Sequence, residues 1–111
     1  MNLEVVSEQN GVTNVVLAGS MDIKGALEVD SRFKELSQSK DKIIVDIANV
    51  SFLASLGMRT FVMTAKALSA KGGRLILLSP QAEVEKVLKS AGLDAIIPIA
   101  RDSAAALALL R

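Results

Sequence analysis

The segment Lys42-Ile43-Ile44-Val45-Asp46-Ile47 decides the fold class of this chain. Its three consecutive β-branched residues show none of the polar alternation of a strand with one face in water. A short apolar run of this kind is typical of a central strand that is covered on both faces. The segment therefore predicts a sheet with other elements packed on either side, and Asp46 lies near the carboxyl end of the strand.

The sequence before this strand predicts a hairpin and a helix. Two Val-rich runs, Leu3 to Ser7 and Val12 to Leu17, are separated by a turn containing Asn10-Gly11. Because Asn-Gly readily adopts positive φ angles, the two runs are expected to pair in antiparallel fashion. Residues 19–22 are predicted to break the second strand, and Asp22 can cap the helix that follows. The apolar residues of that helix recur at helical spacing: Ala26, Val29, Phe33 and Leu36.

The sequence after the central strand predicts a turn and the longest helix. Residues 49–53 are interpreted as the turn, and the helix runs from Ser55 to Ala70. Its predicted buried face contains Met58, Phe61, Val62, Ala65 and Leu68. Gly72-Gly73 is expected to end it.

The last third of the chain predicts a strand, a helix, a short strand and a terminal helix. The first strand is Arg74 to Leu78, after which Ser79 is predicted as a helix cap and Pro80 as the first helical residue. Gly92 closes that helix, Ala95 to Ile99 forms the short strand, and Asp102 caps a helix through Leu107 to Leu110. The predicted stripe of the middle helix is Val84, Val87, Leu88 and Ala91.

Together these elements predict an α/β layered fold in one domain over residues 1–111. Parallel strands must be joined by crossovers, which are nearly always right-handed. We therefore expect a mixed sheet of about four to five strands, with an N-terminal hairpin and crossover helices.

Composition excludes several classes of function. The chain has no Cys and no His, which removes thiolate nucleophiles, imidazole bases and the usual zinc ligands. Lys and Arg number 13 against 12 for Asp and Glu, and the basic residues are scattered, so no nucleic-acid partner is expected. No apolar run approaches the roughly 18 residues that span a bilayer. We expect a cytoplasmic protein without metal or cofactor. An enzyme would have to rely on Asp22, Asp46, Ser55 and Lys or Arg side chains.

The most informative segment for function is Val50 to Met58, where a loop delivers Ser55 to a helix N-terminus. Unpaired backbone N–H groups and the positive end of the helix dipole favour an anion there. Ser55 is therefore chemically suited to accept a phosphoryl group. The alternative is that Ser55 merely caps the helix, which is the commonest role of Ser at such a position.

The segment Ser51-Phe52-Leu53-Ala54-Ser55-Leu56-Gly57 resembles the phosphorylation loop of the anti-sigma factor antagonists of the STAS class. In that family Asp-Ser-Ser/Thr-Gly follows a Ser/Ala-Phe-aliphatic lead-in and starts a helix. The resemblance extends along the chain through Ala18-Gly19-Ser20-Met21-Asp22, Lys71-Gly72-Gly73, Ser79-Pro80, Ala91-Gly92-Leu93 and Ile96-Ile97.

The resemblance implies a phosphoswitch without catalysis by this chain. In the family, the unmodified antagonist binds an anti-sigma factor that is often a serine kinase, which frees the sigma factor, and phosphorylation reverses the binding. By position, Ser55 corresponds to the phosphorylated serine, and a serine phosphatase would reset it. The family also implies a monomer that works in a heterocomplex. The alternative is a non-switching STAS scaffold or an accessory subunit of a larger regulatory or transport assembly.

Five residues around Ser55 are predicted to contact the partner. Asp22 occupies the place of a family acidic residue near the loop, and a simple helix cap is the other interpretation. Ala54 and Leu56 depart from the family, which has an acidic residue before the serine and commonly a hydroxyl residue after it. Leu56 is either a contact for the partner or simply buried. Gly57 either admits a partner backbone or relieves internal crowding. Arg59, one turn along, either pairs with a phosphate on Ser55 or is an ordinary solvated charge.

Overall fold

The computed structural model describes residues 1–110. Within this range a five-stranded sheet in the order β1-β2-β3-β4-β5 is combined with four α-helices. A one-turn 3-10 helix, Leu93–Ala95, precedes β5. The elements are β1 Asn2–Gln9, β2 Val12–Met21, α1 Ile23–Ser39, β3 Lys42–Leu53, α2 Ser55–Ser69, β4 Arg74–Leu78, α3 Ala82–Ser90, β5 Ile99–Ala100 and α4 Ser103–Leu109.

The sheet is mixed, as the sequence predicted. β1 pairs with β2 in antiparallel fashion, and the remaining neighbours are parallel. The hairpin turn contains Asn10 at φ 55° and Gly11 at φ 79°, the positive angles that an Asn-Gly turn supplies. The predicted fold class, hairpin and crossover helices are confirmed.

Helices cover both faces of the central strand β3. On one face, Ile43 and Val45 lie in the main core with side chains from α1, α2 and α3. On the other face, Ile44 packs with Ala106 of α4 in a smaller cluster. All three strand residues are almost fully inaccessible, because the chain supplies apolar helix faces to both sides of the sheet.

An aromatic pair joins the two helices on the main face. Phe33 of α1 and Phe61 of α2 meet edge to face, with ring centroids 5.9 Å apart and an interplanar angle of 87°. Both side chains are buried. The predicted buried stripe of α1, which includes Phe33, is confirmed, and the pair fixes the separation of α1 and α2.

The two longest strands extend further than the sequence predicted. β2 continues to Met21 instead of breaking at Gly19, and β3 continues to Leu53 through the predicted turn. The two strands pair along this extension, where Met21 lies opposite Leu53. Register shifts and a φ of 115° at Gly19 accommodate the irregularity, so backbone pairing continues where local sequence predicted a break.

Three predictions in the last third were wrong in detail. Helix α3 begins at Ala82 with Gln81 as its N-cap, not at Ser79-Pro80. The Ser79 amide instead donates to the Ala100 carbonyl, and its hydroxyl donates to the Arg101 carbonyl, so Ser79 extends the β4–β5 pairing. The predicted strand over 95–99 is reduced to β5 because a 3-10 turn occupies its start. Of the predicted α3 stripe only Val84 and Leu88 are buried; Val87 and Ala91 are exposed.

Asp102 caps α4 as predicted, and an ion pair holds the segment before it. The Asp102 carboxylate accepts a hydrogen bond of 2.8 Å from the Ala105 amide. Arg101 donates two hydrogen bonds to the Glu85 carboxylate, at 2.7 and 2.6 Å. This contact, with a second from Lys89, lowers the pKa of Glu85 below its ordinary value.

None of the helices over residues 1–110 combines the length and the apolar character needed to cross a bilayer.

Candidate functional site

Helix α2 begins at Ser55 without a side-chain cap. Ala54 occupies the N-cap position, with extended backbone angles, and has no group that could accept from the helix. The first intrahelical hydrogen bond runs from the Met58 amide to the Ala54 carbonyl, at 3.1 Å. The amides of residues 55–57 therefore precede the intrahelical ladder, and the first turn carries no acidic side chain. This helix end presents donors and the positive end of a dipole to an incoming anion.

The Ser55 side chain is exposed at this helix end. Among the described residues its hydroxyl has no hydrogen-bond partner, and it does not cap α2, because Ala54 stands at the cap position. The interpretation of Ser55 as a helix cap is therefore wrong. A hydroxyl that is exposed and not engaged within the chain is open to a modifying enzyme.

Asp22 lies at the neighbouring helix end and caps α1. Its carboxylate accepts a hydrogen bond of 2.7 Å from the Gly25 amide. The starts of α1 and α2 are brought together because the Ala54 amide donates to the Met21 carbonyl at 2.9 Å. The predicted proximity of Asp22 to the Ser55 loop follows from this pairing of β2 and β3. The cap accounts for Asp22 structurally, and its exposed side chain also flanks the site.

Gly57 is buried beneath the start of α2 and has an internal reason to lack a side chain. A Cβ at this position would lie 2.8 Å from both Leu53 Cδ1 and Met21 Cγ. The structure thus favours relief of crowding within the domain over the approach of a partner's backbone. Leu56 is half-buried and packs against the main core, while part of its side chain stays accessible beside Ser55.

Arg59 is exposed on the next turn of α2 and has no ion pair within the described part of the chain. Residues four apart on a helix face each other across one turn, so the guanidinium can reach a group on the Ser55 oxygen.

Asp46, in contrast, lies well away from the site. Its carboxylate accepts from the Ala48 amide at 2.9 Å, and it stands seven residues before Leu53, roughly 20 Å along β3. The structure does not bring Asp46 together with Asp22 and Ser55.

The missing cap of α2 predicts a stabilising substitution. Ala54 has φ −89° and ψ 168°, the geometry in which Asn or Asp caps a helix. We expect Ala54→Asn to raise the free energy of unfolding by about 1 kcal/mol in urea denaturation, because its side chain can accept from the free amides. The control is Ala70→Asn, at the other end of the same helix in helical geometry, where no gain is expected. Equal stability of Ala54→Asn and the unmodified chain would contradict the uncapped start.

Comparisons with known proteins agree on one family. The family model described as STAS domain matches residues 5–106. The anti-sigma F factor antagonist of Paenibacillus polymyxa is 28% identical over 102 residues, which are 89% of this chain and 87% of that protein. A crystal structure from Thermotoga maritima superposes with a TM-score of 0.85 at 26% identity, covering 99% of this chain and 93% of the other. The phosphorylated form of the Bacillus cell fate determinant SpoIIAA gives a TM-score of 0.73 at 21% identity, covering 97% and 99%.

Proposed function

Because this chain belongs to the STAS domain family and is similar in sequence to anti-sigma factor antagonists, we propose that it is a partner-switching antagonist controlled by phosphorylation of Ser55. The single observation that carries the proposal is the exposed, unengaged Ser55 hydroxyl at the uncapped start of α2. The proposed partner is an anti-sigma factor of the serine kinase type, and the proposed location is the cytoplasm. The chain itself is proposed to be a binding module and not an enzyme, monomeric until it meets its partner.

In the proposed switch, the unmodified Ser55 loop docks onto the anti-sigma factor and thereby releases the sigma factor. The kinase transfers the γ-phosphoryl group of ATP to the Ser55 oxygen, releasing ADP and the hydroxyl proton. The phosphate adds nearly two negative charges at a surface that must lose its water on docking, which disfavours the complex. A serine phosphatase restores the hydroxyl and the binding.

Two features of the chain favour a stable phosphorylated form without a change of fold. The free amides of α2 and the positive end of its dipole offset the new charge. Arg59, one turn along and without an internal ion pair, can donate charge-assisted hydrogen bonds to the phosphate. Phosphorylation in this proposal changes the surface charge while the helix that bears it keeps its position.

The proposal predicts a single modified serine. After incubation with the anti-sigma factor kinase of the source cell and ATP, intact mass should rise by one phosphoryl group, and fragmentation should place it on Ser55. Ser55→Ala should abolish the modification. Ser51→Ala, which removes the hydroxyl of another exposed serine four residues earlier, should leave it unchanged. A modification that persists in Ser55→Ala would contradict the assigned site.

Ala54 favours a second candidate function, that of a non-switching STAS scaffold or accessory subunit. The resembling family has an acidic residue at this position, and here it is absent. Ala54→Asp restores the charge and Ala54→Asn supplies only the cap, so comparing the two separates an effect on the kinase from an effect on the helix. If the unmodified chain is not phosphorylated and neither variant is, the scaffold becomes the better proposal.

A further inference from the structure

A groove of about 390 Å³ lies between α1 and α2, beginning beside the Ser55 site. Two of its wall residues are large apolar side chains exposed to solvent, Leu27 at 64% and Met63 at 57%. Sequence reasoning missed this surface, although both residues fall outside the predicted buried stripes of their helices. Large apolar residues outside a helix's predicted buried stripe indicate an exposed apolar surface, and this signal was present in the sequence.

The buried lining of the groove consists of one aromatic residue, Phe33, and three residues with hydroxyl groups, Ser37, Thr60 and Thr64. Phe33 is buried there against Phe61. These three hydroxyl groups are engaged within the chain: Thr64 donates to the Thr60 carbonyl at 2.8 Å, Ser37 to the Lys34 carbonyl at 2.7 Å, and Thr60 to the Leu56 carbonyl at 3.2 Å. Because these buried hydroxyl groups already have partners, the inner lining offers apolar contacts, while the charged and amide side chains that also line the groove are exposed to solvent.

The groove is continuous with the Ser55 site. Leu56, the residue after Ser55, lines its near end, and Arg59 stands on its rim. A specific protein complex buries about 800 Å² on each partner, on the order of 20 residues, which the short Ser55 loop cannot provide. A partner that contacts Ser55 must therefore extend onto a flanking surface, and this one exposes apolar groups.

The length and charge of the groove indicate its occupant. Its lining runs from Leu27 to Gln38 on α1 and from Leu56 to Ala67 on α2, in each case about 16 Å or three helical turns. Two neighbouring helices of this length receive a third helix by packing its apolar ridge between them. The charged lining residues, Asp30, Lys34 and Arg59, carry a net positive charge, which suits a helix with an acidic flank.

We propose that the groove between α1 and α2 is the second half of the partner-binding surface and receives an amphipathic helix of the anti-sigma factor. The proposal rests on the proposed function above. In this proposal Arg59 can bind either of two anions: an acidic side chain of the partner or a phosphate on Ser55. A phosphate that engages Arg59 removes a cation from the rim of the groove, which links the modification to the docking of the helix.

The experiment measures binding of the purified kinase-type anti-sigma factor of the source cell by calorimetry. The variants are Leu27→Ser with Met63→Ser, and the matched control is Leu107→Ser, an exposed leucine of α4. We expect the double variant to weaken binding about tenfold or more, because two exposed apolar side chains lose their contacts with the partner helix, while the control binds as the unmodified chain does. Unchanged urea midpoints would show that the substitutions leave the fold intact.

The outcomes separate the two proposals. If the double variant binds like the unmodified chain while Ser55→Asp does not bind, the groove proposal is overturned and the proposed function stands. If the unmodified chain itself does not bind the anti-sigma factor, both are overturned. If the double substitution abolishes self-association of the chain and leaves partner binding unchanged, the occupant is a second copy and the groove proposal is wrong.

Discussion

Ser55→Asp is expected to weaken binding of the anti-sigma factor about a hundredfold, whereas Ser55→Ala is expected to bind almost as tightly as the unmodified chain. A hundredfold change corresponds to about 2.7 kcal/mol. A carboxylate at the start of α2 must be desolvated when the partner docks, and it meets any acidic group that the partner directs at Arg59. Ser55→Ala removes a hydroxyl that has no hydrogen-bond partner among residues 1–110, so little should be lost.

The matched control for this pair is Ser51→Asp, which adds the same charge at another exposed serine of the segment. The affinities are compared at two salt concentrations, because a long-range effect of charge alone would weaken with screening. We expect Ser51→Asp to change the affinity far less than Ser55→Asp. Equal binding by Ser55→Ala and Ser55→Asp would reject the phosphoswitch and favour the scaffold.

Phe61→Ala is expected to lower the free energy of unfolding by about 3–5 kcal/mol. Phe61 is inaccessible to solvent and packs edge to face on Phe33, so truncation leaves a cavity between α1 and α2 and removes the aromatic contact. Urea denaturation followed by circular dichroism measures the loss. For a domain of this size the total is about 5–15 kcal/mol, so the variant should be marginally stable.

Two further variants keep the stability prediction testable. Phe61→Leu retains most of the buried volume and should unfold at a urea concentration between those of Phe61→Ala and the unmodified chain. Met63→Ala, on the exposed side of the same helix, should change the free energy of unfolding by no more than about 0.5 kcal/mol. A small loss in Phe61→Ala would mean that the packing of α1 against α2 contributes less than the buried ring indicates.

Stability and partner binding are expected to depend on different residues of the same two helices. Phe33 and Phe61 face the core and fix the separation of α1 and α2. Leu27 and Met63 lie on the outer side, where substitution should affect binding with little effect on folding. If the groove proposal is correct, the binding surface can be altered without loss of the scaffold that positions Ser55.

Local sequence determined the elements whose signal is contained in a few neighbouring residues. The Asn10-Gly11 turn and the Asp22 and Asp102 caps follow from backbone preferences and short-range hydrogen bonds. The apolar run at Ile43 to Val45 predicted a covered central strand because it lacks the polar alternation of a strand with one face in water. The loop that resembles a phosphorylation loop is likewise recognisable from the sequence alone.

The tertiary structure decided what depends on residues distant in the sequence. β2 and β3 continue to Met21 and Leu53 because each supplies the backbone partners of the other, which outweighs the local break at Gly19. Ser79 joins the β4–β5 pairing instead of capping α3 because the Ala100 carbonyl lies within reach of its amide. The internal crowding at Gly57 and the groove between α1 and α2 likewise arise only when helices and strands are packed together. Hydrogen bonds and packing between distant segments are set by their meeting in space, which no local preference specifies.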